Sequence, residues 1–475
     1  MAEPTKPKTG RRVGRKGYAV RPGAMRSVFE GVAWPGIPST DVLPQLAIQF
    51  QLERTQWWSP ERIRENQFDQ LSALVRHAGA TVPYYRALFQ RIGFDPNQPL
   101  GPEEWAKLPL LTRPEIQAHS EALESTAVPA SLGEVVKAST SGSTGHPLTV
   151  KKTALQVQYW QAITLREHLW HERDLGGRFA HLRAARDHTL MYRKEGETSG
   201  HWGRSTAPFI TGPSFALSHA IEIQGQVEWL RRVAPHYLLT TPGNLQALAR
   251  HCLDKAITIP TLRHVIVFAE ALRAETRDTC RAAFGVEVKD MYSSVDTGYL
   301  ALQSPMSEEL LVQAETILLE IIDDQGQPCA PGQIGHVVVT PLHAFAMPLL
   351  RYDIGDLAEA RGKAACGRGL PVIRRVIGRA RDMVRLPDGR EHYPNVSGVG
   401  KGLYKIIQWQ VARVAEQTVG LRLVVRAPLD ATEEEALCQK VREGFNYPFE
   451  VRIAYLVEIP RAPSGKFFEY VSEIE

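Results

Sequence analysis

His264-Val265-Ile266-Val267-Phe268 and Val286-Glu287-Val288-Lys289-Asp290-Met291-Tyr292 are short β-rich runs, and the stretch between them, Glu275 to Phe284, reads as a helix. The same alternation extends upstream. Gly133 to Ala138 reads as a strand and Ala154 to His171 as a helix. Phe179-Ala180-His181-Leu182 is again strand-like, Gln224 to Val233 helical, Tyr237-Leu238-Leu239-Thr240 strand-like and Asn244 to Leu253 helical. Strands and helices in strict turn predict an α/β fold: a large N-terminal region of helix-covered, mostly parallel sheets. Ligands in such sheets bind beyond the carboxyl ends of the strands. Glu270 and Tyr292 fall at those ends, and so does the loop that begins at Ser139.

On either side of this block the pattern changes. Residues 52–93 read as helical, with Ser59-Pro60-Glu61 forming a cap and a first-turn proline. Leu310–Asp323 and Gln333–Thr340 read as a smaller antiparallel, barrel-like part, joined by the turn Asp323-Asp324-Gln325-Gly326. The last hundred or so residues alternate again and predict a small, mobile C-terminal α/β domain. The expected division is a basic, disordered tail over 1–26, a large domain over 27–378 and a small one over 379–475.

The chain has 475 residues, 43% of them hydrophobic and 23% charged, the balance of a globular protein with more than one core. No run of eighteen uncharged apolar residues is present, so no membrane span is expected. The five cysteines are scattered without a C-x-x-C pair, which argues against a zinc ribbon or a disulfide framework and fits a reducing cytoplasm. Net charge is +4, with eight Lys or Arg and one acid in residues 1–26. Beyond that tail the chain is slightly acidic, so nucleic acid is not an expected partner.

The loop Ser139-Thr140-Ser141-Gly142-Ser143-Thr144-Gly145-His146-Pro147 gathers hydroxyl donors around two glycines. Backbone N–H groups freed to converge in this way, with hydroxyls beside them, suit a polyphosphate. Three more segments follow. These are Arg351-Tyr352-Asp353-Ile354-Gly355-Asp356, read as ending in a Gly-Asp turn that exposes a carboxylate, then Gly378-Arg379-Ala380-Arg381-Asp382, and Pro463-Ser464-Gly465-Lys466 near the C-terminus.

In this order and spacing the four segments resemble the adenylate-forming enzymes, that is the acyl-CoA synthetases, adenylation domains and luciferases. The nearest resemblance is to the phenylacetate–CoA ligase-like family in its capsular-polysaccharide-biosynthesis branch. It runs from about Gln49 to Glu475, through Trp57-Trp58-Ser59-Pro60-Glu61 and Val82-Pro83-Tyr84-Tyr85-Arg86 to Ile406-Ile407-Gln408-Trp409-Gln410.

The resemblance implies a ligase using ATP and Mg²⁺. A carboxylic acid becomes an acyl-adenylate, pyrophosphate leaves, and the acyl group passes to CoA, an amine or a carrier-protein thiol. Thr140, Ser141, Gly142, Ser143, Thr144 and Gly145 then resemble the clamp for the terminal phosphates. Lys466 resembles the catalytic lysine, and Arg379 the arginine near the ribose and phosphates. Asp356 resembles the ribose-binding aspartate, Glu270 the acid beside the adenine, and Asp382 the hinge. Where the family has Tyr-Gly-x-Thr-Glu, this chain has Tyr292-Ser293-Ser294-Val295-Asp296. Tyr292 can stack on adenine, Asp296 takes the place of the metal-binding glutamate, and Ser294 can stand in for the threonine hydroxyl that Val295 lacks. Those departures leave a second reading open, a degenerate relative that binds nucleotide or a partner without chemistry.

Overall fold

The computed structural model describes residues 23–139, 148–184, 193–379, 384–392, 394, 396, 399, 405–460 and 470–474. Its centre is a twelve-stranded sheet. Ser214–Ser218, Phe179–Arg183, Tyr237–Thr240, His264–Phe268 and Glu287–Ser294 lie side by side and parallel, as their apolar runs require. Glu197–Ser199 pairs antiparallel at the outer edge. On the other side the sheet continues antiparallel through Gly298–Gln303, Leu310–Val312, Val372–Arg379, Tyr352–Arg361, Ile334–Pro341 and Ile317–Ile322.

Two details depart from the pattern read in the sequence. The antiparallel part closes no barrel among the described residues. It extends the same sheet, because the hairpin of Glu287–Ser294 with Gly298–Gln303 reverses strand direction without interrupting the pairing. The Gly-Asp segment is also not a turn. It lies inside the strand Tyr352–Arg361, where Gly355 takes a left-handed φ of 77° and Asp356 is 7% exposed.

Helices cover the parallel half. Ile223–Val233 and Pro242–Asp254 press Val227, Leu230, Leu245 and Leu248 against Leu238, Val265 and Val267 of the strands. Each such fully buried aliphatic side chain is worth about 1.5–3 kcal/mol of transfer free energy. The helices Pro60–Thr81 and Pro83–Ile92 pack Leu71, Leu74 and Leu88 on the antiparallel half. Ser59 caps the first of these by accepting from the Arg62 N–H at 3.3 Å, and Pro60 fills its first turn. A separate core joins a four-stranded sheet to the helix Ala431–Phe445 through Leu421, Leu423, Leu437 and Phe445. No helix among the described residues is long and apolar enough to cross a membrane.

Two buried ionic clusters fasten the helix Ala154–Trp170. Arg166 pairs with Glu315 at 2.8 Å and donates to the Leu52 carbonyl at 2.7 Å, tying this helix to Leu43–Thr55 and to the antiparallel strands. One residue on, Glu167 is paired with Arg173 and flanked by His168 and His171. Burial works to raise the Glu167 carboxyl, but the Arg173 guanidinium holds it at about 2. Burial pulls both histidines down to about 4, against the attraction of Glu167.

Neutral histidines in the folded state make stability depend on pH. An unfolded chain protonates them near 6.5, so their contribution is complete above that value and falls as pH drops toward 4. Glu167 adds a loss in the same direction at lower pH, as the solution approaches 2. The urea midpoint should therefore fall between pH 6.5 and 4, and the fall should be shallower in His171→Gln. Equal slopes in the two proteins would contradict a neutral buried His171.

Candidate active site

The hairpin that switches the sheet from parallel to antiparallel carries two of the residues singled out in the sequence. Tyr292 is near the end of the last parallel strand, and Asp296 is in the turn that follows it. Across the sheet, Asp356 and Arg379 are direct register partners on neighbouring antiparallel strands. Their side chains meet the hairpin. The Arg379 Nε lies 3.1 Å from Asp356 Oδ1, and the Tyr292 hydroxyl donates to Asp356 Oδ2 at 2.6 Å. Arg379 also donates to the Ile354 carbonyl at 2.9 Å. Three residues distant in sequence thus form one connected group, with Asp356 held from both sides.

The electrostatics follow from burial. Loss of hydration and the neighbouring Asp356 carboxylate keep the Tyr292 phenol protonated well above its usual range. Burial works against the Arg379 cation, but Asp356, with help from Asp296, raises its pKa above the usual value. Arg379 is therefore a permanent positive charge beside a permanent donor and a fixed carboxylate. Such a set can hold vicinal hydroxyls and an anionic oxygen at the same time.

Asp296 is only 5% exposed. Its Oδ2 accepts from the Tyr352 hydroxyl at 3.3 Å, and Arg113 bonds the same hydroxyl. Its Oδ1 has no hydrogen-bond partner among the described residues, nor has the buried Thr297 hydroxyl next to it. A buried oxygen left without a partner is costly. A buried carboxylate oxygen of this kind suits an oxygen-coordinated cation. No cluster of three metal-ligating side chains exists among the described residues. A Mg²⁺ ion takes one or two carboxylates and its remaining ligands from phosphates and water, so Asp296 has the chemistry to supply one such carboxylate.

The other candidates separate. Glu270 follows the strand His264–Phe268, after Ala269 in a left-handed φ of 70°. Its Oε2 accepts from the Gly243 N–H at 2.9 Å, in the first turn of the helix Pro242–Asp254, so helix capping is part of its role. Ser294 closes the last parallel strand. Val295 is 44% exposed and lies in the turn, outside the strand. Thr140, Ser141, Gly142, Ser143, Thr144, Gly145, Asp382 and Lys466 lie outside the described residues.

Tyr352, Thr297, Arg113 and Lys152 belong to the neighbourhood and were not identified from sequence. The first three are brought in by strand register and turn geometry, which local patterns do not encode. Lys152 did leave a signal, since it shares its strand face with buried Leu148 and Val150.

No family model matches the chain. A search of curated proteins does find relatives. Phenylacetate-coenzyme A ligase of Thermus thermophilus is 25% identical over 438 residues, covering 86% of this chain and 95% of the relative. The enzyme of the same name from Escherichia coli K12 is 24% identical over 334 residues, 69% of this chain and 73% of that protein. Over most of its length this chain is similar in sequence to phenylacetate–coenzyme A ligases. Among solved structures, 2-hydroxyisobutyryl-CoA ligase in complex with 2-HIB-AMP superposes with a TM-score of 0.72 at 18% identity, covering 89% of this chain and 92% of that one. The fold is that of the adenylate-forming ligases. None of these similarities singles out a capsular-polysaccharide branch.

Tyr292→Phe should lower unfolding stability by about 1–2 kcal/mol, because it removes a hydrogen bond to a buried carboxylate. Chemical denaturation checks this, and an unchanged midpoint would contradict the Tyr292–Asp356 bond.

Proposed function

We propose that the chain is an ATP-dependent, AMP-forming ligase that activates a carboxylic acid as its acyl-adenylate and then transfers the acyl group to a nucleophile. The connected group of Tyr292, Asp356 and Arg379 at the carboxyl edge of the parallel strands carries the proposal, with Asp296 beside it. Relationship to CoA ligases over most of its length supports the same reading.

In this account a carboxylate oxygen of the acid attacks the α-phosphorus of ATP. The bond from that phosphorus to the oxygen bridging to the β-phosphate breaks, and pyrophosphate departs with the electron pair. A thiol or amine then attacks the acyl carbon and AMP leaves. The first step brings an anion to a polyanion, so positioning and charge stabilisation dominate its barrier. Asp356 accepts from the ribose hydroxyls, while Arg379 offers its free N–H groups to ribose and phosphate oxygens. Tyr292 orients Asp356 and presents its ring to the adenine, which Glu270 borders. Thr140 to Gly145 hold the β- and γ-phosphates, with Ser294 donating near the α-phosphate. Asp296 would hold Mg²⁺, which supplies charge neutralisation on the phosphates when bound. Lys466 bridges the reacting carboxylate and the α-phosphate side.

CoA is the acceptor favoured by the relatives' names, with an amine or carrier-protein thiol as the other endings. The proposed division of labour is a large nucleotide-binding domain over 27–378 and a small domain over 379–475 that delivers Lys466, preceded by the basic tail 1–26.

Lys466→Ala should reduce acid-dependent pyrophosphate release by at least about 100-fold, the scale of losing one preorganised electrostatic contact in the transition state. ATP affinity measured by calorimetry should change little. Undiminished pyrophosphate release would remove Lys466 from the mechanism. Asp356→Ala should act in the opposite way, raising the KM for ATP by roughly tenfold or more through lost ribose contacts. An unaltered KM would move the nucleotide elsewhere.

A further inference from the structure

Two adjacent lysines on the strand Thr149–Thr153 have opposite fates. Lys151 points outward and is paired with Glu124. Lys152 points inward on the face of Leu148 and Val150, which are 1% and 2% exposed. Among the described residues, no ion pair and no hydrogen bond reaches its ammonium. The group instead lies 5.8 Å from the centre of the Trp160 ring. An inward ammonium is costly unless an anion pairs with it.

Its surroundings connect it to the hairpin that carries the candidate active site. Trp160 packs on Tyr299 with ring centres 4.4 Å apart. Tyr299 stands on the second arm of the hairpin whose turn holds Asp296, opposite Ser293. Asp296 is the group whose charge acts on both Arg379 and Lys152. Asp296 thus links Lys152 electrostatically to the group of Tyr292, Asp356 and Arg379. On the same helix, Tyr159 stacks on His343 at 4.1 Å. Burial keeps that histidine neutral, pulling it down to about 4, so it adds no rival charge at neutral pH. Burial likewise draws the Lys152 ammonium down to about 8, despite Asp296, and a bound anion would reverse that cost.

We propose that Lys152 is a specificity residue, selecting acids that carry a second anionic oxygen group in addition to the carboxylate that reacts. The aromatic wall covers the body of the substrate and Lys152 receives its distal anion. The proposal rests on the ligase reading of the site.

The test is ATP–pyrophosphate exchange with matched pairs of acids, butyrate against succinate and benzoate against isophthalate, in wild type, Lys152→Met and Lys152→Arg. Wild type should prefer the dicarboxylate of at least one pair. Lys152→Met should lower that preference, as a ratio of kcat/KM values, by roughly 10- to 100-fold, the loss of one hydrogen bond to a charged group. Lys152→Arg should retain most of it, and the KM for ATP should stay within about threefold of wild type in both variants. Exchange with monocarboxylates alone would overturn the proposal and leave the ligase reading intact. An equal loss for both members of a pair would assign Lys152 to the reacting carboxylate, and a raised KM for ATP would assign it to the phosphates. Either result overturns the proposal. No exchange with any acid in wild type would contradict the ligase reading and this proposal together.

Discussion

The site depends on one constraint: the sheet stays hydrogen-bonded through its change from parallel to antiparallel. The hairpin of Glu287–Ser294 and Gly298–Gln303 makes that change. It fixes Tyr292 and Asp296 at the carboxyl edge of the parallel half while the antiparallel strands bring Asp356 and Arg379 alongside. A slip of one residue in the pairing of Tyr352–Arg361 with Val372–Arg379 would turn one of these side chains to the opposite face. The ion pair and the Tyr292 hydroxyl bond therefore report on the register of the sheet as much as on the site. Buried residues flank the segment, with Tyr352 and Ile354 on one strand and Val372 and Ile373 on the other, and these oppose such a slip.

Much of this was legible in the sequence because it is local. Tyr237–Thr240 and His264–Phe268 are runs of consecutive apolar, partly β-branched residues, and each forms the strand its composition dictates. The helix starts at Ser59 and Pro60 carry their signal in two adjacent residues. What escaped is non-local or depends on a single torsion. Gly355-Asp356 has the composition of a turn, yet Gly355 takes its left-handed φ inside a paired strand and Asp356 is buried there. Arg379 reads as the first residue of the small domain, whereas its pairing with Asp356 makes it the last residue of a strand. Tyr352 meets Asp296 across 56 positions of sequence, and no periodicity records such a contact.

The substitution of Val295 and Asp296 into the central motif also looks different in three dimensions. Val295 is 44% exposed in the turn. Asp296 is shorter than a glutamate, but Tyr352 holds one of its oxygens and the other remains available. Thr297 restores a buried hydroxyl two residues after the position where the valine lacks one. Together these argue for a rearranged cation and phosphate site rather than a lost one. That weighs against a degenerate relative.

The most direct test of the central claim is to supply the acid with both carboxylate oxygens labelled with ¹⁸O, together with ATP, and to follow the label. Attack of the carboxylate on the α-phosphorus predicts one labelled oxygen in AMP, with pyrophosphate unlabelled. Label in inorganic phosphate with ADP as the nucleotide product would mean that the acid attacks the γ-phosphorus, and would contradict an adenylate as the intermediate.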